Sequence, residues 1–321
     1  MTIAVVSTGG TISSVDEEGG DASPELESSD LVASVPGLEN IADMITEDFA
    51  TIVSHHYTID QMYGLAQRIR ELDADPDIDG IVVTQGTNTL EEVSYFVDLC
   101  YDGETPVVFT GAMRNPSLAS SDGPGNILSC VRIAMDDGAR GRGVLVAFNY
   151  RIHPVREVSK LHTLNPDTFR SPEYGPLGAV EEDRVVWRRE QVDPDLTFDP
   201  DPKRLTNDIP IVTLGAEAPP TALEAAADSD AVCVACMGAG HLTPSVVPVM
   251  EELREEGVPL VASTWCTEGN LARNTYECYG CENTTRELCY YSDLNPRKTR
   301  IRAIVALAAD RLGDAFLPPE T

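Results

Sequence analysis

A two-domain α/β protein is the fold class this sequence predicts: an N-terminal doubly wound, mainly parallel sheet of flavodoxin or Rossmann type, followed by a smaller C-terminal α/β domain. Three observations predict it. Short β-branched apolar runs alternate with helical periodicities along most of the 321 residues, as parallel strands and their crossover helices do. The early runs are soon followed by Gly, Ser or Asn, the residues that open ligand-bearing turns. A proline-rich, aperiodic stretch at Trp187–Pro210, containing Asp-Pro-Asp-Leu-Thr-Phe-Asp-Pro-Asp-Pro, divides the pattern in two.

The runs Ile3–Val6, Ile81–Thr84, Val107–Thr110 and Val144–Phe148 are apolar without alternation, which fits strands covered on both faces. Between them lie helical patterns. Ile59–Leu72 places Met62, Leu65, Ala66 and Ile69 on one face, Leu90–Leu99 carries Val93, Phe96 and Val97, and Asn126–Met135 carries Ile127, Cys130, Val131 and Ala134. The acidic, glycine-containing segment Asp16–Asp30 reads equally as a disordered surface loop or as a lid. The domain boundaries expected are 1–186 and 211–321, with 187–210 as linker. In the second domain Ile211–Leu214, Ala231–Cys236 and Leu260–Ser263 look like strands, and Thr221–Ala227, Pro244–Glu256 and Pro296–Ala308 like helices.

Composition excludes several function classes. Against 53 acidic residues stand 23 basic ones, a formal charge of -30 that repels nucleic acid and anionic membrane surfaces. Lysine is reduced to Lys160, Lys203 and Lys298, a pattern that suggests a high-salt cytoplasm, where molar salt shortens the Debye length to about 3 Å and screens self-repulsion. The chain opens on the strand-like Thr2–Val6 with no basic, apolar, cleavable leader, and no apolar run reaches the roughly 18 residues of a membrane span, so a cytoplasmic location is expected. The eight cysteines then read as thiols or metal ligands rather than a disulfide framework. Cys266, Cys278, Cys281 and Cys289 could hold a structural zinc or remain free or disulfide-bonded, whereas Cys233 and Cys236 read as core thiols on a buried strand.

The chemistry lies in two threonine-bearing glycine turns, Thr8-Gly9-Gly10-Thr11-Ile12 and Thr84-Gln85-Gly86-Thr87-Asn88-Thr89-Leu90-Glu91-Glu92, each after a strand-like run. Ligand crevices of open α/β sheets form at the carboxyl ends of the strands, so Thr11 and Thr87 can meet in one site. Glycine lets backbone N–H groups approach a developing oxyanion, and a neighbouring base makes a threonine hydroxyl a useful nucleophile. Further along come Gly111-Ala112-Met113-Arg114, Ser121-Asp122-Gly123-Pro124-Gly125-Asn126, Arg156-Glu157-Val158-Ser159-Lys160, Tyr174-Gly175-Pro176-Leu177-Gly178 and Leu294-Asn295-Pro296-Arg297-Lys298.

This ordered set, spread over nearly the whole chain, resembles the bacterial-type L-asparaginase family. The resemblance implies hydrolysis of an amide side chain through a threonine acyl-enzyme, without a cofactor, in a homodimer or homotetramer whose sites lie at subunit interfaces. By motif, Thr11 matches the nucleophile, Thr87 and Lys160 the proton-handling pair, and Ser54 the serine that binds the substrate carboxylate. Gly10, His55, Gly86, Asn88, Ala112 and His241 fall at the substrate-binding positions. Asp122, within Ser-Asp-Gly-Pro, reads instead as a turn or helix-capping residue.

Three departures bear on the substrate. Asn88 stands where the family has an aspartate that contacts the substrate ammonium and pairs with the lysine, so recognition of a free amino acid should weaken by on the order of 1 kcal/mol. A lysine lacking that carboxylate gives up its proton more readily, which suits Lys160 as a base. Ser13–Ala50 contains no tyrosine to replace the family's lid tyrosine, and Gly238-Ala239-Gly240-His241 replaces Gly-Asn-Gly-Asn. The expected substrate is L-asparagine, with glutamine or an N-substituted asparagine as alternatives. A non-catalytic amino-acid-binding module is the alternative from another class. A relative that serves in a tRNA-dependent amidotransferase carries an extra N-terminal domain, which a chain opening at the first strand argues against.

Overall fold

A computed structural model describes residues 1–16, 22–191, 196–272 and 286–319. The chain divides into two compact units, Met1–Thr197 and Phe198–Thr321. In the first unit the strands are β1 (Thr2–Gly9), β2 (Ser14–Asp16), β3 (Ala22–Pro24), β4 (Asp43–Ile52), β5 (Gly80–Thr84), β6 (Val107–Thr110), β7 (Val144–Phe148), β8 (Arg151–Pro154), β9 (Ser159–Lys160), β10 (Phe169–Arg170), β11 (Gly178–Glu181) and β12 (Arg184–Trp187). The helices are α1 (Ser28–Ala33), α2 (Ile59–Asp73), α3 (Leu90–Cys100) and α4 (Gly123–Ala134).

Eight of these strands form one sheet in the order β12-β11-β8-β7-β6-β5-β1-β4. The pairs from β4 through β1, β5 and β6 to β7 are parallel. Numbered along the chain, those five strands run 2-1-3-4-5, the flavodoxin-like order, and its switch point falls between β1 and β5. Both expected threonine turns therefore leave neighbouring strands at the place where such sheets bind ligands. Every residue of β5, β6 and β7 is buried, which is why their sequences are uninterrupted apolar runs.

The helices cover the faces of this sheet. α2 opens on a capping box in which the Thr58 hydroxyl accepts from the Gln61 N–H, and it buries Met62, Leu65, Ala66, Ile69 and Leu72. α4 starts three residues before the expected Asn126, with Gly123 and Pro124 in its first turn. It packs Ile127, Cys130, Val131 and Ala134 into a core shared with Ile3, Val5, Ile12, Val82, Val108 and Ala112.

The sheet is wider than its apolar runs foretell. β4 is a ten-residue edge strand carrying Asp43, Glu47 and Asp48, and edge strands tolerate such charges because one side faces water. At the other side β8, β11 and β12 are antiparallel. The β7–β8 hairpin turns through Asn149 and Tyr150, both with positive φ (48° and 61°), the backbone that two-residue hairpins require. β12 contains Trp187, so the stretch expected to be linker begins inside a strand, and a short 3-10 turn at Pro202–Arg204 lies within it. The acidic segment Asp16–Asp30 is ordered where it is described: β2 and β3 pair antiparallel, the N–H groups of Glu25 and Leu26 donate to the Ser13 carbonyl, and α1 begins at Ser28. The disordered-loop reading does not hold for Ala22–Asp30; residues 17–21 lie outside the described residues.

The second unit has a four-stranded parallel sheet, β13 (Ile211–Thr213), β14 (Val232–Cys236), β15 (Leu260–Thr264) and β16 (Tyr290–Tyr291), in that order. Its described helices include α5 (Thr221–Glu224), shorter than expected, α6 (Val247–Glu255) and α7 (Pro296–Ala308), whose N-cap Asn295 side chain accepts from the Lys298 N–H. Cys233 and Cys236 are fully buried on β14, and burial pushes both thiols up to about 12. Among the described residues no helix is long and apolar enough to cross a membrane.

Candidate active site

Close backbone approach at the switch point depends on three glycines. Gly9 and Gly10 take φ of 86° and 91° at the end of β1, a region that disfavours any residue with a Cβ. A Cβ on Gly10 would fall on the backbone of Gly86, and one on Gly86 would come within 2.5 Å of the Ser54 Cβ. The turns after β1 and β5 thus touch backbone to backbone, and the Ser54 side chain, just after β4, packs against Gly86. The loop after β6 joins them, because a Cβ on Gly111 would meet the Thr87 methyl at 3.3 Å and one on Gly123 would meet Ile12 at 3.2 Å.

The Thr11 turn is a 3-10 turn, Thr11–Ser13. Its entry peptide is fixed at the Gly10 carbonyl, which accepts from the Ser13 N–H (3.1 Å), the Ser13 hydroxyl (3.0 Å) and the Ser14 hydroxyl (2.9 Å). In a trans peptide that orients the Thr11 N–H to the opposite side. Thr11 itself is half-buried while Ile12 beneath it is in the core.

The Thr87 turn is more enclosed. Thr87 is 6% exposed, and its Oγ1 lies 2.9 Å from Lys160 Nζ, which also donates to Asn88 Oδ1 at 3.3 Å. Lys160 reaches this place from β9, which pairs with β10 so that Lys160 faces Phe169. Phe169 is buried against Phe148 at the end of β7, ring centroids 4.8 Å apart. The preceding turn is tied by the buried Glu157 carboxylate, which pairs with Arg189, and Arg189 also donates to the Gly175 carbonyl. Two motifs legible in the sequence, Arg156–Lys160 and Tyr174–Gly178, are thus parts of one bracket for the lysine.

Ser54 does not end a strand. β4 stops at Ile52, and the buried Ser54 starts a 3-10 turn over Ser54–His56 whose two histidines are exposed, the His55 ring edge-on to His56 at 4.3 Å. Below the turns runs a polar chain. The Thr8 hydroxyl bonds Gln85 Oε1, Gln85 Nε2 donates to Thr89 Oγ1 (3.2 Å), and that hydroxyl donates to the Ser54 carbonyl (3.0 Å). Gln85 is fully buried, so its amide ties β1, β5 and the Ser54 segment into one frame.

Asp122 is at the N-cap of α4 but its side chain does not cap it. Its carboxylate accepts instead from the N–H groups of Met113 (3.1 Å) and Arg114 (2.9 Å) and from Asn126 Nδ2 (3.2 Å), clamping the Ala112 loop. Ala112 packs its methyl into the core, which leaves its backbone as the group it can offer a ligand. Sequence reasoning passed over Gln85, Asp122 in this role, and Glu91. The signal available was only that Gln85 and Glu91 sit within the glycine-turn motif itself. The buried Glu91 carboxylate accepts from the Lys160 backbone N–H at 3.1 Å, a tie to the main chain of the lysine rather than to its amine.

Residues 2–193 match the family model described as "Asparaginase, N-terminal", and residues 208–315 match the "Glutaminase/Asparaginase C-terminal domain". The chain belongs to the asparaginase family. Among similar members, a glutaminase-asparaginase of Pseudomonas fluorescens biotype A is 33% identical over 314 residues, covering 95% of this chain and 86% of that one. L-asparaginase 2 of Escherichia coli strain K12 is 31% identical over 317 residues, covering 95% and 88%. A crystal structure of a probable cytoplasmic L-asparaginase from Campylobacter jejuni superposes with a TM-score of 0.83 at 31% identity, covering 95% of this chain and 94% of that one. A family likeness of this extent accounts for the ordered motifs as parts of one site scaffold.

The remaining expected residues lie in the second unit. His241 closes a tight loop after β14, where its N–H donates to the Met237 carbonyl at 2.9 Å. Of the candidate zinc ligands, Cys289 is fully buried in that unit's core beside Cys236, and Cys266 is partly exposed. Cys278 and Cys281 lie outside the described residues. Among the described residues no three metal-binding side chains gather.

Proposed function

We propose that this member of the asparaginase family hydrolyses L-asparagine to L-aspartate and ammonia. The observation that carries the reading is the contact of Lys160 Nζ with Thr87 Oγ1 at 2.9 Å, at the switch point where the Thr11 turn also ends. A lysine amine within hydrogen-bond reach of a buried hydroxyl can move protons in both half-reactions.

Thr11 Oγ attacks the side-chain carboxamide carbon, its proton passing toward Thr87 and Lys160 and returning to the departing nitrogen, which leaves as ammonia. Backbone N–H groups of the glycine turns and of the Ala112 loop stabilise the oxyanion. Water then attacks the Thr11 ester, activated by the same pair, and frees the acid. Ser54 binds the substrate carboxylate, and Asn88 and His55 complete the pocket. L-Glutamine is a second substrate under this reading, favoured by the 33% identity to a glutaminase-asparaginase.

The same reading has the protein work in the cytoplasm of a salt-rich cell as a homodimer or homotetramer, with no nucleic-acid or membrane partner, in keeping with its charge of -30. Ammonia release from L-asparagine and L-glutamine in molar KCl tests the activity. Turnover of L-asparagine that disappears in Thr87→Ala is the expected result. Silence on both amides from folded protein would return the chain to the binding-module alternative.

A further inference from the structure

The bracket that holds Lys160 ends on a residue for which the reaction as described has no use. Glu91 lies in the first turn of α3 and is 3% exposed. Its two carboxylate oxygens are divided between two donors of β9: Oε1 accepts from the Ser159 hydroxyl at 3.2 Å and Oε2 from the Lys160 backbone N–H at 3.1 Å. A buried carboxylate is costly to keep unless its acceptors are satisfied by donors of this kind.

The chain returns on itself here. Thr87 lies four residues before Glu91 on the same turn-to-helix segment, so Lys160 is held twice by one short stretch, its side chain at Thr87 Oγ1 and its main chain at Glu91. The β9–β10 ladder is short, two residue pairs continued by one bond from the Leu161 N–H to the Thr168 carbonyl at 2.9 Å. The Glu91 acceptors are the tie that fixes this short ladder against the Thr87 turn.

We propose that Glu91 is a positioning residue of the amide-hydrolysing site: its buried carboxylate sets the reach of Lys160 Nζ to Thr87 Oγ1 through the Lys160 backbone and the Ser159 hydroxyl. The inference rests on the reading of Thr87 and Lys160 as the proton-handling pair. Glu91 touches neither of the reacting hydroxyls in this arrangement, so its effect is on rate rather than on substrate affinity.

Steady-state ammonia release in molar KCl by the full chain, with Glu91→Gln, Glu91→Ala, Ser159→Ala and Lys160→Ala beside the wild type, tests it. A glutamine keeps one acceptor and an alanine none, so kcat should fall stepwise, by about 10-fold and about 100-fold, the scale of a catalytic group displaced by up to an ångström. KM should stay near the wild-type value and near-ultraviolet circular dichroism should be unchanged. Ser159→Ala removes one donor but leaves the Lys160 N–H bonded, and it should show the smallest loss; it also serves if the Glu91 variants fail to fold. Wild-type kcat in folded Glu91→Ala, or in Ser159→Ala where the former does not fold, would overturn the proposal, as would losses expressed in KM with kcat intact. Lys160→Ala separates the two levels: full activity there would remove the proton-handling pair itself, whereas inactivity there with full activity in Glu91→Ala would remove only the role of Glu91.

Discussion

The two threonine turns leave adjacent strands of one sheet, yet they are built to different ends. Thr87 is enclosed, at the head of the eleven-residue helix α3, with Lys160 Nζ at 2.9 Å and its frame tied through Gln85 and Thr89. Thr11 is half-buried on a three-residue 3-10 turn that leads directly into the β2–β3 hairpin. What fixes Thr11 is the orientation of its peptide, through three hydrogen bonds to the Gly10 carbonyl. The difference teaches how the proposed reaction would divide its labour: an accessible hydroxyl with an oriented backbone suits attack on a substrate, and a shielded hydroxyl on a lysine suits the handling of protons.

That comparison can be broken most strongly at Lys160. Lys160→Met keeps an unbranched stem and removes the amine, and kcat should drop about 10²- to 10⁴-fold, the usual contribution of a positioned acid-base group. A melting curve beside the kinetics distinguishes this from unfolding. A loss smaller than tenfold would mean that Thr87 does not depend on its lysine.

The next largest effect is expected at the contact between the turns. Gly10→Ala places a Cβ on the backbone of Gly86 at a φ of 91°, so both the strain and the clash push the turns apart. Strain of that type costs about 1–3 kcal/mol, and a shift of the threonines near an ångström lowers kcat on the order of 10²-fold. Chemical denaturation and kinetics on the same preparation should both register it. If kcat stays at the wild-type level while stability falls, the two turns act independently.

Gln85→Leu probes the frame under the turns. It fills the same space and leaves the hydroxyls of Thr8 and Thr89 without their shared amide, a loss of about 1–3 kcal/mol in denaturant-measured stability. Its effect on kcat should be smaller than that of Gly10→Ala, because no backbone is displaced. Lowering the salt should leave the comparison between the turns nearly untouched while weakening the whole chain: with a net charge of -30, removing molar KCl lengthens the Debye length from about 3 Å to about 10 Å at 0.1 M and lets the acidic surface repel itself. Thermal melts over a KCl series should fall steadily toward low salt; a flat series would contradict the reading of the charge as an adaptation to salt.

The sequence was most legible where burial is complete. β5, β6 and β7 are apolar on both faces, and the helix over Pro296–Ala308 has its proline in the first turn and Asn295 as cap, so each announces its own boundaries. Asp43–Ile52 did not, because an edge strand carries the charges that solvent permits. The hairpins of β7–β8 and β11–β12 turn through Asn149-Tyr150 and Glu182-Asp183, with positive φ at Asn149, Tyr150 and Glu182 and no glycine to signal it. At the site, glycine and threonine were visible because their roles follow from residue type and adjacent spacing. Gln85, Glu91 and Asp122 act through Thr8, Lys160 and Met113, which lie 77, 69 and 9 positions away, and no local pattern carries such pairings. Of the chain's three lysines, Lys298 is fully buried and Lys160 is half-buried with its amine on Thr87, which is consistent with lysine being scarce on the surface of so acidic a protein.

The division between the turns is tested most directly by trapping the covalent intermediate. Wild-type protein acid-quenched during turnover of L-asparagine, then digested and mapped by mass spectrometry, should carry an aspartyl ester on the peptide containing Thr11 and none on the peptide containing Thr87. An ester on Thr87, or steady ammonia release persisting in Thr11→Ala with no ester on either threonine, would contradict the assignment.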